Sequence, residues 1–237
     1  MSAPSWTASL PDVANHAAII VAGGSGRRFG GPVRKQYLAV GGQPVLLRAI
    51  LPFLHHPRIH RVVVVLPAED VDAPPPWLAS LGVARTAGGA ERGDSVRAGL
   101  ALVAESERVL IHDGARPFID RDTIDRVLDA CGEQGAIAAV PVTDTIKQVD
   151  AAGTITGTPD RSRLWQAQTP QGFPCAAITE AYRRAARDGV AATDDAALYE
   201  RYAGPVRVVM GSPRNLKVTR PEDLLAAEAI AAELARG

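Results

Sequence analysis

Residues 17–38 read AAIIVAGGSGRRFGGPVRKQYL, and their reading decides the fold. The apolar run Ala17–Val21 predicts a buried strand, and it empties into Gly23, Gly24 and Gly26. Glycines placed just after a strand let backbone N–H groups approach an anion closely, because no Cβ stands in the way. Arg27, Arg28 and Lys35 follow, and fixed cations at such a turn would neutralise a polyphosphate. A Gly-rich surface turn with solvated basic residues is the competing reading of the same pattern. Counting excludes three other loops. A dinucleotide fingerprint starting at Gly24 needs glycine where Phe29 stands. A Walker A loop through Gly26 and Gly31 needs Lys-Ser/Thr where Pro32-Val33 stand. A nucleophile elbow on Ser25 needs glycine at the position of Arg27.

Working outward, strands and helices alternate. Val62–Leu66 is β-branched, continuously apolar and so buried on both faces, as in a parallel sheet. Val83–Thr86, Val109–Ile111, Ala136–Val142 and Val206–Met210 read as further strands. Helical spacing predicts helices over Pro44–Leu54, Arg92–Glu105, Asp120–Cys131, Ala176–Asp188, Asp194–Tyr202 and Pro221–Ala235, with a short one through Trp77. This rhythm predicts an α/β fold: a Rossmann-like open, twisted, mostly parallel sheet flanked by helices, with ligands at the strands' C-terminal ends. From Thr143 to Pro170 the rhythm breaks. Thr145–Val149 alternates polar and apolar, Ala152-Gly153 turns, and Thr154–Thr156 returns, which is a hairpin with one solvated face. Such an arm has little to pack on within its own chain, so a partner subunit is its natural cover. One domain is expected over residues 16–237, including the arm 143–170, preceded by a polar tail at 1–15.

The chain has 237 residues, 46% hydrophobic and 22% charged, enough apolar content for a substantial core. Its 26 basic and 26 acidic residues cancel. That argues against a nucleic-acid binder working through bulk charge, so basic groups that matter must be concentrated locally. Residues 1–16 lack a basic-then-apolar signal pattern, and no apolar run approaches the roughly 20 residues a spanning helix needs, so neither export nor a membrane is expected. Cys131 and Cys175 are too few for a disulfide framework or a zinc site, and reduced thiols in a cytoplasmic protein are expected. His55, His56 and His60 flank Pro57 and read as a polar loop rather than a metal site.

Several groups can carry chemistry. In His112–Pro117, HDGARP, Asp113 could hold Mg²⁺, accept a hydrogen bond from a sugar hydroxyl, or serve as a turn residue. Gly88-Gly89 leads through Arg92 to Ser95, which could read a base edge or start a helix. Arg161, at the return of the arm, could grip a phosphate bidentately or lie idle on the surface. Thr193-Asp194-Asp195 reads as a helix N-cap with acids in the first turn. Lys217 lies between Leu216 and Val218, where an ammonium is costly unless it meets an anion or snorkels to solvent.

Six stretches in this order, GGSGRRFGGPVRKQYL, HDGARP, DTIKQV, DRSRLWQAQTPQGF, TDDA and NLKVTRPEDL, resemble the 2-C-methyl-D-erythritol 4-phosphate cytidylyltransferases over Ala17–Leu225. The resemblance implies CMP transfer from CTP to a polyol phosphate, with release of pyrophosphate, in isoprenoid precursor synthesis by the non-mevalonate route. It also implies a Mg²⁺-dependent homodimer whose arms reach the neighbouring site. Carried over by position, Arg28, Lys35 and Lys217 would be catalytic, gripping the CTP phosphates. Ala22, Gly23, Gly24, Gly26, Gly89 and Ser95 would line the nucleotide pocket. Asp113, Arg116, Thr145, Arg161 and Thr193 would meet the acceptor, with Asp113 a candidate metal ligand. The chain departs from the family where Val21 replaces a common proline and Ala90 a common acid, and no carboxylate lies between Met210 and Lys217. Ribitol 5-phosphate cytidylyltransferases share the loop and the Lys-Gln pair and are the rival enzyme class. A non-catalytic nucleotide-binding protein is the rival from outside the enzymes, and it should have lost Arg28, Lys35 or Lys217.

Overall fold

The computed structural model describes residues 15–24, 34–191 and 194–236, so the expected tail lies outside the described residues except for Asn15. From β1 (His16–Val21) the chain reaches a 3₁₀ turn at Lys35–Tyr37, a small antiparallel pair, β2 (Ala39–Val40) and β3 (Gln43–Pro44), and helix α1 (Val45–Leu54). There follow β4 (Ile59–Leu66), the short α2 (Pro76–Ala79), β5 (Ala84–Ala87), α3 (Arg92–Leu100), β6 (Arg108–Asp113), α4 (Arg121–Ala130) and β7 (Gly135–Pro141). The arm carries β8 (Gln148–Val149) and β9 (Ile155–Gly157). The chain ends with β10 (Trp165–Pro174), α5 (Cys175–Arg187), α6 (Asp195–Tyr202), β11 (Val206–Met210) and α7 (Asp223–Leu234).

Among the described residues, seven strands form one sheet in the order β11-β7-β10-β6-β1-β4-β5. All neighbours pair parallel except β10, which runs antiparallel to both β6 and β7. The apolar runs are continuous because both faces are covered. Along β1, Ala18 and Ile20 join a core with Leu46 and Phe53 of α1 and Ile124 and Val127 of α4. Ala17 and Ile19 point the other way, into a core with Val96 of α3, Ile178 of α5 and Tyr199 of α6. A third cluster seats α7: Ala227 and Ala231 pack on Val40, Phe118 and Val218.

Two expectations are corrected. The arm ends earlier than residue 170, because Trp165–Pro174 form a strand in the middle of the sheet. Its sequence hides this: Pro170 argues against an inner strand, and Gln168, Thr169 and Gln171 are buried although polar. Helix α3 stops at Leu100 rather than Glu105, where Leu102 N–H and Val103 N–H bond back three residues to Gly99 and Leu100 and tighten the end. His56 is buried and its Nδ1 accepts the Arg58 N–H at 3.3 Å, so only His55 and His60 of that trio are exposed. Cys131 and Cys175 are both free and buried. No helix among the described residues is long and apolar enough to cross a membrane.

Candidate active site

The site lies where the parallel strands end. After β1, Ala22 N–H donates to Val65 O of β4 at 2.8 Å, and after β6, Gly114 N–H donates to Val21 O at 2.9 Å. The loop after β5 is drawn in likewise, Gly88 N–H donating to Leu66 O at 2.7 Å. Gly88 and Gly23 approach so closely that a Cβ on Gly88 would stand 2.6 Å from Ser95 Oγ and 3.3 Å from Gly23 Cα. Ser95 is therefore not the helix start. Glu91 occupies the N-cap of α3, with its N–H bonded to Asp94 at 3.1 Å, and Ser95 is buried one turn in against the glycines.

Lys35 enters from the 3₁₀ turn, which two side chains anchor. Gln36 is buried and donates to Ala22 O at 3.2 Å, and Tyr37 OH donates to Asp70 at 2.7 Å. Lys35 Nζ then donates to Val218 O at 3.1 Å, next to Lys217. The segment carrying Lys217 is fixed from both sides. Val218 N–H donates to Ala115 O at 2.8 Å, and buried Asn215 donates to Thr169 O of β10 at 2.8 Å. Lys217 meets the anion its setting calls for: Nζ lies 2.8 Å from Asp113 Oδ2.

Asp113 is the electrostatic centre. Arg92 Nε stands 3.6 Å from Oδ1, and Arg116 Nε stands 3.7 Å from Oδ2. Burial alone would raise this carboxyl, but the Lys217, Arg92 and Arg116 charges outweigh it and hold it well below the ordinary carboxylate range. Its backbone N–H donates to Thr169 Oγ1 at 3.0 Å, and that hydroxyl pairs with His112 Nδ1 at 3.0 Å. His112 Nε2 lies 3.1 Å from Arg116 O. A carbonyl only accepts, so Nε2 carries the proton, and burial, which lowers the ring to about 4, keeps it neutral with Nδ1 accepting from Thr169. The antiparallel course of β10 makes this possible, because its first half lies beside the C-terminal ends of β6 and β7.

Arg92, which the sequence placed in the turn leading to Ser95 without a role of its own, belongs to this cluster. Its fork meets Asp195 bidentately, at 2.8 and 2.7 Å. Asp195 is fully buried and also accepts from Tyr182 OH. The expected first-turn acid of α6 is therefore an inward-facing partner, while Asp194 caps the helix by accepting Ala197 N–H at 2.7 Å. An Arg on one helix and an Asp at the start of another, with no local pattern between them, left no signal beyond two acids where one cap suffices.

Ala22, Gly23, Gly24, Lys35, Gly89, Ser95, Asp113 and Lys217 line a single cleft of about 550 Å³, together with Glu91 and Arg92. Arg116 lines a neighbouring groove of about 1180 Å³ that shares Lys217 and includes Asp144, Gln168 and Arg220. Thr145 and Arg161 line neither. They lie on the exposed arm, where Arg161 donates to Thr143 O at 2.7 Å. Gly26, Arg28 and Thr193 lie outside the described residues. Among the described residues no group of three metal-capable His, Cys, Asp or Glu side chains exists. With three cations already about Asp113, the donor set does not fit a resident Mg²⁺ site. It fits only an ion brought in on phosphate oxygens.

A profile of the 2-C-methyl-D-erythritol 4-phosphate cytidylyltransferases matches residues 16–233. The protein of that name from Syntrophus aciditrophicus is 46% identical over 221 residues, covering 90% of this chain and 94% of its own. Its counterpart from Rhodococcus jostii is 44% identical, over 91% and 95% of the two chains. Among solved structures, the Thermus thermophilus enzyme of the same name superposes with a TM-score of 0.75 at 35% identity, covering 92% of this chain and 98% of that one. The 4-diphosphocytidyl-2C-methyl-D-erythritol synthase of Anaerococcus prevotii superposes with a TM-score of 0.80 at 28% identity, over 92% and 96%. With its family profile matched over residues 16–233 and sequence similarity over nearly its whole length, this chain belongs to the 2-C-methyl-D-erythritol 4-phosphate cytidylyltransferase family.

Proposed function

We propose that the chain transfers CMP from CTP to 2-C-methyl-D-erythritol 4-phosphate, giving 4-diphosphocytidyl-2-C-methyl-D-erythritol and pyrophosphate, and that the cleft after β1 is where it does so. The observation that carries the reading is the convergence of Lys35 and Lys217 with Gly23, Gly24, Gly89 and Ser95 in one cleft, beside a second groove that shares Lys217. An acceptor phosphate oxygen forms the new bond to the α-phosphorus of CTP as the bond to the pyrophosphate oxygen breaks. The acceptor is already an anion, so no general base is needed. The work is to bring two anions together in line and to stabilise the charge that develops.

The chain's residues divide that work. Lys35 and Arg28 hold the triphosphate, and Lys217, which lines both cavities, neutralises the oxygens of the α-phosphate. Gly89 and Ser95 shape the base end of the cleft. Asp113 and Arg116 orient the acceptor, joined by Thr193 and by Thr145 and Arg161 from a second copy. A Mg²⁺ ion carried on the CTP phosphates would supply further charge neutralisation there. A homodimer through the arm is supported by its exposed apolar side chains, Ile146, Val149 and Ile155. A cytoplasmic location belongs with this reading, since CTP is supplied there. Removing a group that stabilises transition-state charge costs roughly 10²- to 10³-fold in turnover. Lys35→Ala, assayed by coupled pyrophosphate release, should therefore collapse turnover while circular dichroism stays unchanged. Near-normal turnover would refute the assignment. Running the assay with ribitol 5-phosphate alongside tests acceptor choice, and 2-C-methyl-D-erythritol 4-phosphate should be the faster substrate.

A further inference from the structure

We infer that Asp195, assisted by Tyr182, is a positioning residue for the transfer reaction: it locks the Arg92 guanidinium so that only Nε faces Asp113. The inference rests on the proposed function and concerns residues one layer behind the site. Three helices of one layer supply the parts, Arg92 from α3, Tyr182 from α5 and Asp195 from α6. Asp195 is free for this task because Asp194 already caps α6. It is fully buried, takes both terminal nitrogens of Arg92 at 2.8 and 2.7 Å, and accepts from Tyr182 OH on the same oxygen that Arg92 Nη1 contacts.

A buried ion pair of this kind adds little to stability over a well-packed apolar pair, so stability alone does not account for it. Its geometric consequence does. The guanidinium is a planar fork, and with both tips committed to Asp195 the remaining Nε–H lies 3.6 Å from Asp113 Oδ1. An unrestrained Arg92 could instead grip Asp113 with two nitrogens and compete with Lys217 for it. Held as it is, Arg92 steadies one oxygen and leaves the other to Lys217 at 2.8 Å and Arg116 at 3.7 Å. Lys217, 41% exposed on the cleft, can then exchange its carboxylate for a phosphate when substrates arrive.

The test is a double-mutant cycle on the full chain, with kcat and KM measured separately for CTP and 2-C-methyl-D-erythritol 4-phosphate. Asp195→Asn should lower kcat/KM for the polyol phosphate by roughly 10- to 100-fold, as loss of second-layer partners does. KM for CTP should change by less than about threefold, and in an Arg92→Gln background the added loss should shrink to less than about twofold, because the effect passes through Arg92. Tyr182→Phe, which keeps the charge pair, should cost roughly two- to fivefold and lose that effect in the Arg92→Gln background. If Asp195→Asn fails to melt cooperatively, the Tyr182→Phe cycle decides alone. Wild-type kcat/KM in both variants, or equal losses with and without Arg92, would overturn the inference. A wild-type chain that releases no pyrophosphate would instead sink the proposed function.

Discussion

Lowering the pH from 7.5 to 5.0 should cost the native state about 2 kcal/mol through His112 alone. The ring is fully buried beneath Asp113, donating from Nε2 to Arg116 O and accepting at Nδ1 from Thr169. An imidazolium there would turn Nδ1–H towards a hydroxyl that already accepts the Asp113 N–H. Burial pushes the ring from its ordinary 6.5 down to about 4. The folded value is depressed, so the unfolded chain binds the proton more readily. The associated stability is fully present above 6.5 and is lost as the pH falls from there towards 4, at about 1.4 kcal/mol per unit. Asp113, whose own value is also depressed, begins to weigh on stability only below 3.8, outside this window. The assay is urea unfolding, followed by tryptophan fluorescence, of the wild type and of His112→Asn at both pH values. Burial lowers His16 and His56 as well, so the comparison between the two chains isolates His112. The wild type should lose about 2 kcal/mol more than the variant between the two pH values. A loss equal in both, within about 0.5 kcal/mol, would show that His112 is not the buried neutral group described.

Two further outcomes can be checked with purified protein. Gly88→Ala sets a Cβ 2.6 Å from Ser95 Oγ, an overpacking of roughly 1–3 kcal/mol. Isothermal titration should show CTP binding weakened by roughly tenfold, with affinity recovered in part by adding Ser95→Ala; unchanged affinity would mean that this glycine contact does not shape the nucleotide pocket. On the arm, Val149 and Ile155 are cross-strand partners and more than half exposed. Changing both to Asp should shift sedimentation towards the monomer and reduce turnover with it, and a dimer that persists would place the subunit contact elsewhere.

Much of the architecture was legible locally. Val62–Leu66 and Ala17–Val21 are apolar at every position, a pattern that only a sheet covered on both faces tolerates. The final strand, Val206–Met210, was read without error at either end. The cleft residues near strand ends, Gly23, Gly24, Gly89, Asp113 and Lys217, follow the rule that ligands gather at the C-terminal edge of such sheets. Strand β10 was not legible, because Gln168, Thr169 and Gln171 look like loop residues until their partners are known. Gln168 donates to Ser212 O at 2.9 Å, Thr169 pairs with His112, and Gln171 accepts Ala196 N–H at 2.9 Å.

Taken alone, the sequence determined the class of sheet and the place of its glycine turns, because hydropathy period and backbone freedom are properties of neighbouring residues. Only the tertiary structure decided which charges face one another. Arg92 and Asp195 are 103 residues apart, and Lys35 and Val218 are 183 apart. An acid at a helix start is written identically whether it faces water or closes on a buried guanidinium. The difference is made by three-dimensional packing, which removes water from Asp195 and leaves Arg92 as the cation that can repay that loss.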